Sequence, residues 1–447
     1  MIDLDAALAH AASSPLLAGC EIRRPVVAEP APIELEPALA GALAQPIGSP
    51  RLPEVARGKD SAVIITADAT RAVPNRALLP AVVAELNGAG IPDQRITVVV
   101  GTGAHRPLAR DELVQLIGKE WVRRLRVTNH DPRAGDLVKV GVTPRGNEVL
   151  VNRLVAEAGV RVAFGQVEPH EFAGYTGGRK AILPSVAGYD TIIRNHSVEM
   201  LAHPGARPGE LAVNPIHTEM LAAARMAQLD FIVNVVIDRQ LRPLAVAAGD
   251  FEAAHHRLVQ FLEHFAAVEM PEQPVDLVVT GPGQPLDFNL YQSIKPLVAV
   301  EPLVDQHSVV VLLSACRDGA GSDEMLEPFS GSAGPREALA RVNRAYTIEK
   351  DHSYFLARFL SRCPQVIAHC PGVSDAALRT LLLEPAVSPE DALARARRRL
   401  ASRRAEPLVL LFPRPQRSLI MHGGRRIPAD HVPTPDPSTP ASCPASE

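Results

Sequence analysis

Lysine is scarce in this 447-residue chain, with six residues against forty arginines. The chain uses arginine wherever either cation serves. A lysine therefore marks a place where a primary amine is needed, because the two side chains differ in chemistry. Charge of one sign is also missing. The formal net charge is −4 and no long basic block occurs, so nucleic acid is not expected as a main partner. No apolar run reaches the roughly 18 residues that a membrane helix needs, so no membrane partner is expected either. The N-terminus, MIDLDAALAHAASSPLL, has neither a basic start nor a long apolar core. It does not read as a secretion signal, and a cytoplasmic enzyme is the expectation. The cysteines (Cys20, Cys316, Cys363, Cys370 and Cys443) are odd in number and scattered, with no CxxC pair. This argues against a disulfide framework or a zinc ribbon, and the thiols read as core filler.

Apolar content is ordinary, at 46%, enough for more than one core. Short β-branched runs read as buried strands: SAVIITAD (61–68), RITVVVG (95–101), VRVAFGQV (160–167) and LDFIVNVVID (229–238). Helical patterns lie between them, such as NRALLPAVVAELNGAG with its terminal glycine stop. After residue 272 the pattern restarts with VDLVVTG (275–281), SVVVLLSA (308–315), QVIAHC (365–370) and LVLLFP (408–413). Ser388, Pro389 and Asp391 punctuate the start of a helix before the last of these. The expectation is two α/β domains with mostly parallel sheets, 1–272 and 273–423, and an active-site cleft between them. Residues 26–57, rich in Pro and Ala, read as irregular chain. The Pro/Ser-rich end, 424–447, reads as a disordered tail.

Polar, titratable groups cluster where strands end. Asp68, Ala69, Thr70 and Arg71 follow the first strand, at the edge where open α/β sheets bind ligands and where a helix N-terminus can supply N–H groups to phosphate. The bland alternative is an Asp helix cap beside a solvated Arg. His105 and Arg106 follow the second strand behind Gly101 and Gly103, a GxG without the third glycine of a dinucleotide fingerprint. A histidine in such a turn can equally be structural. A third strand leads to His170. Convergence of three strand ends favours a site over three separate accidents. GYTGGRKA resembles a P-loop only superficially, because its glycine spacing is one short and Lys180 is followed by Ala181. The Lys180 amine can be a covalent anchor, since lysine bonds to carbonyl-type carbons. His196 in RNH could be a metal ligand, but zinc needs three or four protein ligands and no HxxxH or HExxH occurs. In the second half, Gln292 and Lys295 are three apart and would share a helix face. They suit a small substrate's carboxylate or hydroxyl, or are simply solvated. Pro296 makes a helix start or kink there.

The set DATR, GTGAHRP, HEFAGYTGGRK, RNH and YQSIK, spanning roughly residues 60–300, resembles the lactate racemase (LarA-like) family. The resemblance implies a nickel-pincer nucleotide, supplied by cofactor-synthesis proteins and tethered through Lys180, with His196 as the protein ligand of nickel. It implies phosphate binding around Asp68, Ala69, Thr70 and Arg71. His105 and His170 would be the acid/base pair, and Arg71, Gln292 and Lys295 would hold the substrate. The implied reaction racemises or epimerises a 2-hydroxy acid by redox-neutral hydride transfer through a planar 2-oxo acid. With Trp121 as the sole tryptophan and outside these motifs, the aromatic wall over the substrate would come from HSYFLARF (352–359). A metal-dependent hydrolase, a nicotinamide-linked dehydrogenase and a binding protein without turnover remain the alternatives.

Overall fold

The structure, a computed structural model, describes residues 2–400 and 406–426. It contains two six-stranded sheets. The first runs in the order Pro243–Gly249, Phe231–Ile237, Val160–Gln166, Ala62–Ala67, Ile96–Gly101, Arg126–Asn129. All neighbours are parallel except the antiparallel edge pair formed by the first two. The second is parallel throughout, in the order Glu21–Arg23, Leu408–Pro413, Leu277–Gly281, Val309–Leu313, Gln365–His369, Glu384–Pro385.

The β-branched runs form strands because both their faces are covered, as parallel sheets require. In Ala62–Ala67, Val63 and Ile65 enter one core while Ala62 and Ile64 enter another. In the second sheet Val278, Val310 and Leu410 face that same first core, while Leu277, Val309 and Val409 face a third. One apolar core thus runs from one sheet to the other and fixes the cleft walls.

Chain order reverses between Val160–Gln166 and Ala62–Ala67 in the first sheet. It reverses between Leu408–Pro413 and Leu277–Gly281 in the second. Ligands of open α/β sheets bind beyond the carboxyl ends of strands at such reversals.

Three expectations are corrected. The opening segment does not stay with the first sheet. Glu21–Arg23 pairs with Leu408–Leu410, and Leu4 and Leu8 of the helix Leu4–Ser13 are buried in the second sheet's outer core. Each such leucine contributes about 1.5–3 kcal/mol by leaving water, enough to hold the segment there. Residues 26–57 contain the helices Leu35–Ala44 and Leu52–Val55, pinned by buried Leu39, Leu43 and Leu52. The tail expected from 424 begins inside a small sheet, where Arg425–Arg426 pairs with Met421–His422, and residues 427–447 lie outside the described residues.

The closing segment also ties the halves together. Leu419–His422 pairs with Ala267–Glu269, and both Arg417 Nη atoms donate to main-chain oxygens of Ile237 and Asp238. Among the described residues no helix is long and apolar enough to cross a membrane.

Candidate active site

A cavity of about 1060 Å³ opens beyond the switch point of the first sheet, faced by segments that follow Leu277–Gly281 and Val309–Leu313 of the second. It is lined by every residue that the sequence singled out: Asp68, Ala69, Thr70, Arg71, His105 and His170, then Lys180, His196, Gln292 and Lys295.

Asp68 stands one residue past its strand, but it does not cap a helix. The helix begins later, at Asn75, and Asp68 instead closes a turn on itself. Its Oδ1 accepts from the Thr70 N–H at 3.0 Å and the Thr70 hydroxyl at 2.5 Å. Its Oδ2 lies 2.7 Å from His105 Nδ1. Burial would raise this carboxyl, but the His105 charge and the bonds from His105 and Thr70 outweigh it and hold Asp68 at about 2. The carboxylate fixes the proton of His105 on Nδ1, leaving Nε2 as the working atom. Arg71 lines the cavity with its Nε 3.7 Å from Glu168, while its Nη1 donates to the Thr70 carbonyl at 3.0 Å.

The loop bearing Lys180 is locked to two strand ends. Gly177 has φ 80° and Gly178 has φ 53°, conformations that L side chains rarely adopt. A Cβ on Gly178 would stand 2.9 Å from the His255 ring. Asn234, from the strand Phe231–Ile237, accepts from the Gly178 N–H at 2.8 Å. Further on, Ser185 donates to the Lys180 carbonyl at 2.7 Å, and its own carbonyl accepts from Gly103 at 3.0 Å. Gly101 permits that approach, since a Cβ there would lie 2.6 Å from Ser185 Cβ. This is the physical reason for the glycines in GTGAH and TGGRK.

Lys180 Nζ lies 3.3 Å from His170 Nε2. Lys295 and Lys350, also buried, have carboxylate partners, Glu171 and Glu327. No ion pair is found for Lys180 among the described residues. Burial, then the Arg179 and Arg71 charges, pushes its amine well below the ordinary lysine range. His170 is pushed well below its ordinary value by burial and then by Lys180. Burial, aided by Lys180, lowers His196 to about 3. The His196 Nδ1 is buried and has no hydrogen-bond partner among the described residues. Both imidazoles meet the Phe172 ring edge-on, at 4.6 and 4.9 Å between centroids.

From the second sheet come Gln292, on Leu290–Ser293, and Lys295, the first residue of Lys295–Val300. The helix does restart at Lys295, with Pro296 in its first turn, where a missing N–H is harmless. Lys295 Nζ pairs with Glu171 Oε1 at 3.1 Å. Burial would raise Glu171, yet Lys295 and His352 hold it at about 2.

Sequence reasoning missed Glu171, Phe172, Tyr291, Asp351 and His352. Glu171, Phe172, Tyr291 and His352 lie inside stretches already quoted and Asp351 directly precedes one, so the signal present was proximity to the singled-out residues. The aromatic wall also differs from expectation. Phe172 and Tyr291 line the cavity, while Phe355 stacks behind Phe172 at 5.8 Å. Among the described residues no three His, Cys, Asp or Glu side chains gather as a metal site.

The lactate racemase N-terminal domain model matches residues 19–209, and the C-terminal domain model matches 270–411. Lactate racemase of Lactiplantibacillus plantarum is 38% identical over 299 residues, 66% of this chain and 70% of that protein. The chain belongs to the lactate racemase family. Lactate racemase of Thermoanaerobacterium thermosaccharolyticum is 37% identical over 303 residues, covering 67% of this chain and 70% of its own length. The structure of that organism's lactate racemase apoprotein superposes with a TM-score of 0.80 at 31% identity, covering 90% of this chain and 94% of the other. A Thermotoga maritima protein with 15% identity and a TM-score of 0.67 shares the fold. As a member of the lactate racemase family the chain is an isomerase of the racemase type, with two α/β halves around a cleft.

Proposed function

We propose that this protein interconverts the enantiomers of a 2-hydroxy carboxylic acid, lactate or a larger analogue. It would work with a nickel-pincer nucleotide bonded to Lys180 and coordinated by His196. The relatives named lactate racemase support the reaction class. The observation that carries the cofactor reading is Lys180, a buried lysine at the cavity wall for which no carboxylate pair is found among the described residues, beside an imidazole 3.3 Å away. Two cations at that spacing are unfavourable. Acylation of the amine removes one charge, so a covalent tether suits this environment. The orphaned Nδ1 of buried His196 supplies a lone donor for a metal whose other ligands come from a cofactor. The residues present thus fit the group, and cofactor-synthesis proteins would supply it.

When bound, that group supplies a centre that accepts and returns the C2 hydrogen as hydride. The chain does the rest. Arg71 and Lys295 hold the carboxylate, and the unpartnered Oε1 of Gln292 accepts from the substrate hydroxyl. His105, oriented by Asp68, takes or returns the hydroxyl proton for one enantiomer, and His170 does so for the other. Imidazole suits both because burial and neighbours keep His170 neutral, and the Asp68 carboxylate aims His105.

Protein produced alongside the cofactor-synthesis proteins, screened by chiral chromatography over a panel of 2-hydroxy acids, tests the reaction. Intact mass locates an adduct at Lys180 that Lys180→Arg lacks. A 2-deuterated substrate is expected to racemise more slowly. Fully loaded protein that interconverts no enantiomeric pair would overturn the reading.

A further inference from the structure

The second half of the chain brings a fourth imidazole to the cavity, beside His105, His170 and His196. His352 is the second residue of the helix Asp351–Arg362 and is only 3% exposed. Its Nδ1 lies 2.5 Å from Asp351 Oδ1. The Tyr291 hydroxyl donates to the same oxygen at 2.7 Å. The Tyr291 ring lies against the imidazole, 3.9 Å between centroids and 29° from parallel. Carboxylate, phenol and ring together fix the orientation and put a proton on Nδ1, which leaves Nε2 as the unused function of the ring.

That Nε2 is buried and makes no hydrogen bond among the described residues. Glu171 Oε1 lies 3.9 Å from it, an ion-pair distance but too long for a hydrogen bond. Buried imidazoles with structural work look different. His130 reaches the Ala187 carbonyl at 2.8 Å through Nε2 and meets the Asn152 amide at 3.2 Å through Nδ1. A buried polar atom left open in a cavity wall, on a ring held this firmly, is poised for a ligand. Gln292 Oε1, on the same side of the cleft, is open in the same way. Two carboxylates, Asp351 and Glu171, flank the ring, on the side of the cleft where Lys295 pairs with Glu171.

We propose that His352 is a further substrate-contacting residue, whose Nε2–H donates to an oxygen of the 2-hydroxy acid's carboxylate beside Lys295. Asp351 and Tyr291 are its positioning residues. The second half of the chain then grips the substrate with three groups: an ammonium, an imidazole N–H and an amide oxygen. This rests on the 2-hydroxy acid reading of the site.

The probe is 2-hydroxyisobutyrate, which carries the carboxylate and hydroxyl but no C2 hydrogen, so it binds without reacting. Calorimetric titration of cofactor-loaded protein is expected to show binding weakened about 10- to 100-fold by His352→Ala, the loss of one charge-assisted hydrogen bond. His352→Gln retains an N–H donor and recovers part of it. KM for the racemised acid rises in parallel, while kcat changes less and nickel content stays at the wild-type level. Tyr291→Phe gives a smaller rise of the same kind. If His352→Ala fails to fold, the Gln variant decides. Wild-type affinity and KM in the Gln and Ala variants would overturn the assignment of His352 while leaving the racemase reading intact. A wild-type protein that neither binds the probe nor interconverts enantiomers removes both.

Discussion

The contact between Asp68 and His105 offers the sharpest test of the acid/base assignment. Asp68→Asn preserves shape, and its amide oxygen still accepts both Thr70 bonds made by Asp68 Oδ1. What changes is the atom 2.7 Å from His105 Nδ1, where a carboxylate oxygen becomes an N–H donor. Two donors cannot face each other, so the imidazole must move its proton to Nε2 and loses the base that faces the cavity. The forfeited charge-assisted bond contributes about 1.5–3 kcal/mol, which corresponds to about 10- to 150-fold in rate. Removing the base altogether, His105→Ala, is expected to cost about 100- to 10,000-fold. Asp68 acts through His105, so the double variant should be no slower than His105→Ala alone. Enantiomers have equal free energy, so kcat/KM must fall by the same factor in both directions. Initial rates from each pure enantiomer, followed by chiral chromatography, measure all of this. A wild-type rate for Asp68→Asn, or losses in the two single variants that simply multiply in the double, would refute the dyad.

Gly178→Ala should destabilise the chain by about 2–5 kcal/mol, from a left-handed backbone and a methyl forced into the His255 ring. The urea midpoint reads it, and cofactor loading at Lys180 should fall with it; an unchanged midpoint would mean that the turn is not held as described. Acid should unfold the cofactor-free protein in two stages. His170 and His196 have folded pKa values below the ordinary 6.5, so the unfolded chain binds more protons below that pH and stability falls as pH drops. Asp68 and Glu171, held at about 2 against ordinary values of 3.8 and 4.5, add a second loss between about pH 4.5 and 2. Melting temperature against pH should therefore flatten below pH 6.5 in His196→Ala, and an identical slope would remove that group from the account. His196→Ala should also lower bound nickel by elemental analysis, with unchanged occupancy eliminating it as ligand.

Local pattern alone determined much of this protein. Each fully buried β-branched run became a strand, because a parallel sheet covered on both faces leaves no polar alternation to blur the signal. The titratable residues at the strand ends were legible as well, since a strand's carboxyl end and its glycine-rich turn are written in consecutive residues. Irregularity inferred from Pro and Ala in 26–57 was misleading, because tertiary burial of Leu39 and Leu43 stabilises a helix whose composition is weak. Asp68 looked like a helix cap because its side chain is equally suited to closing a turn. Only the fold could decide that residues 4–23 join the second sheet, since strand pairing at the edge depends on a partner nearly four hundred residues away. Only the fold could bring Glu171 against Lys295 and His352, or Tyr291 against Asp351. These charges and rings lie far apart along the chain, and their meeting is set by one continuous core to which both sheets contribute.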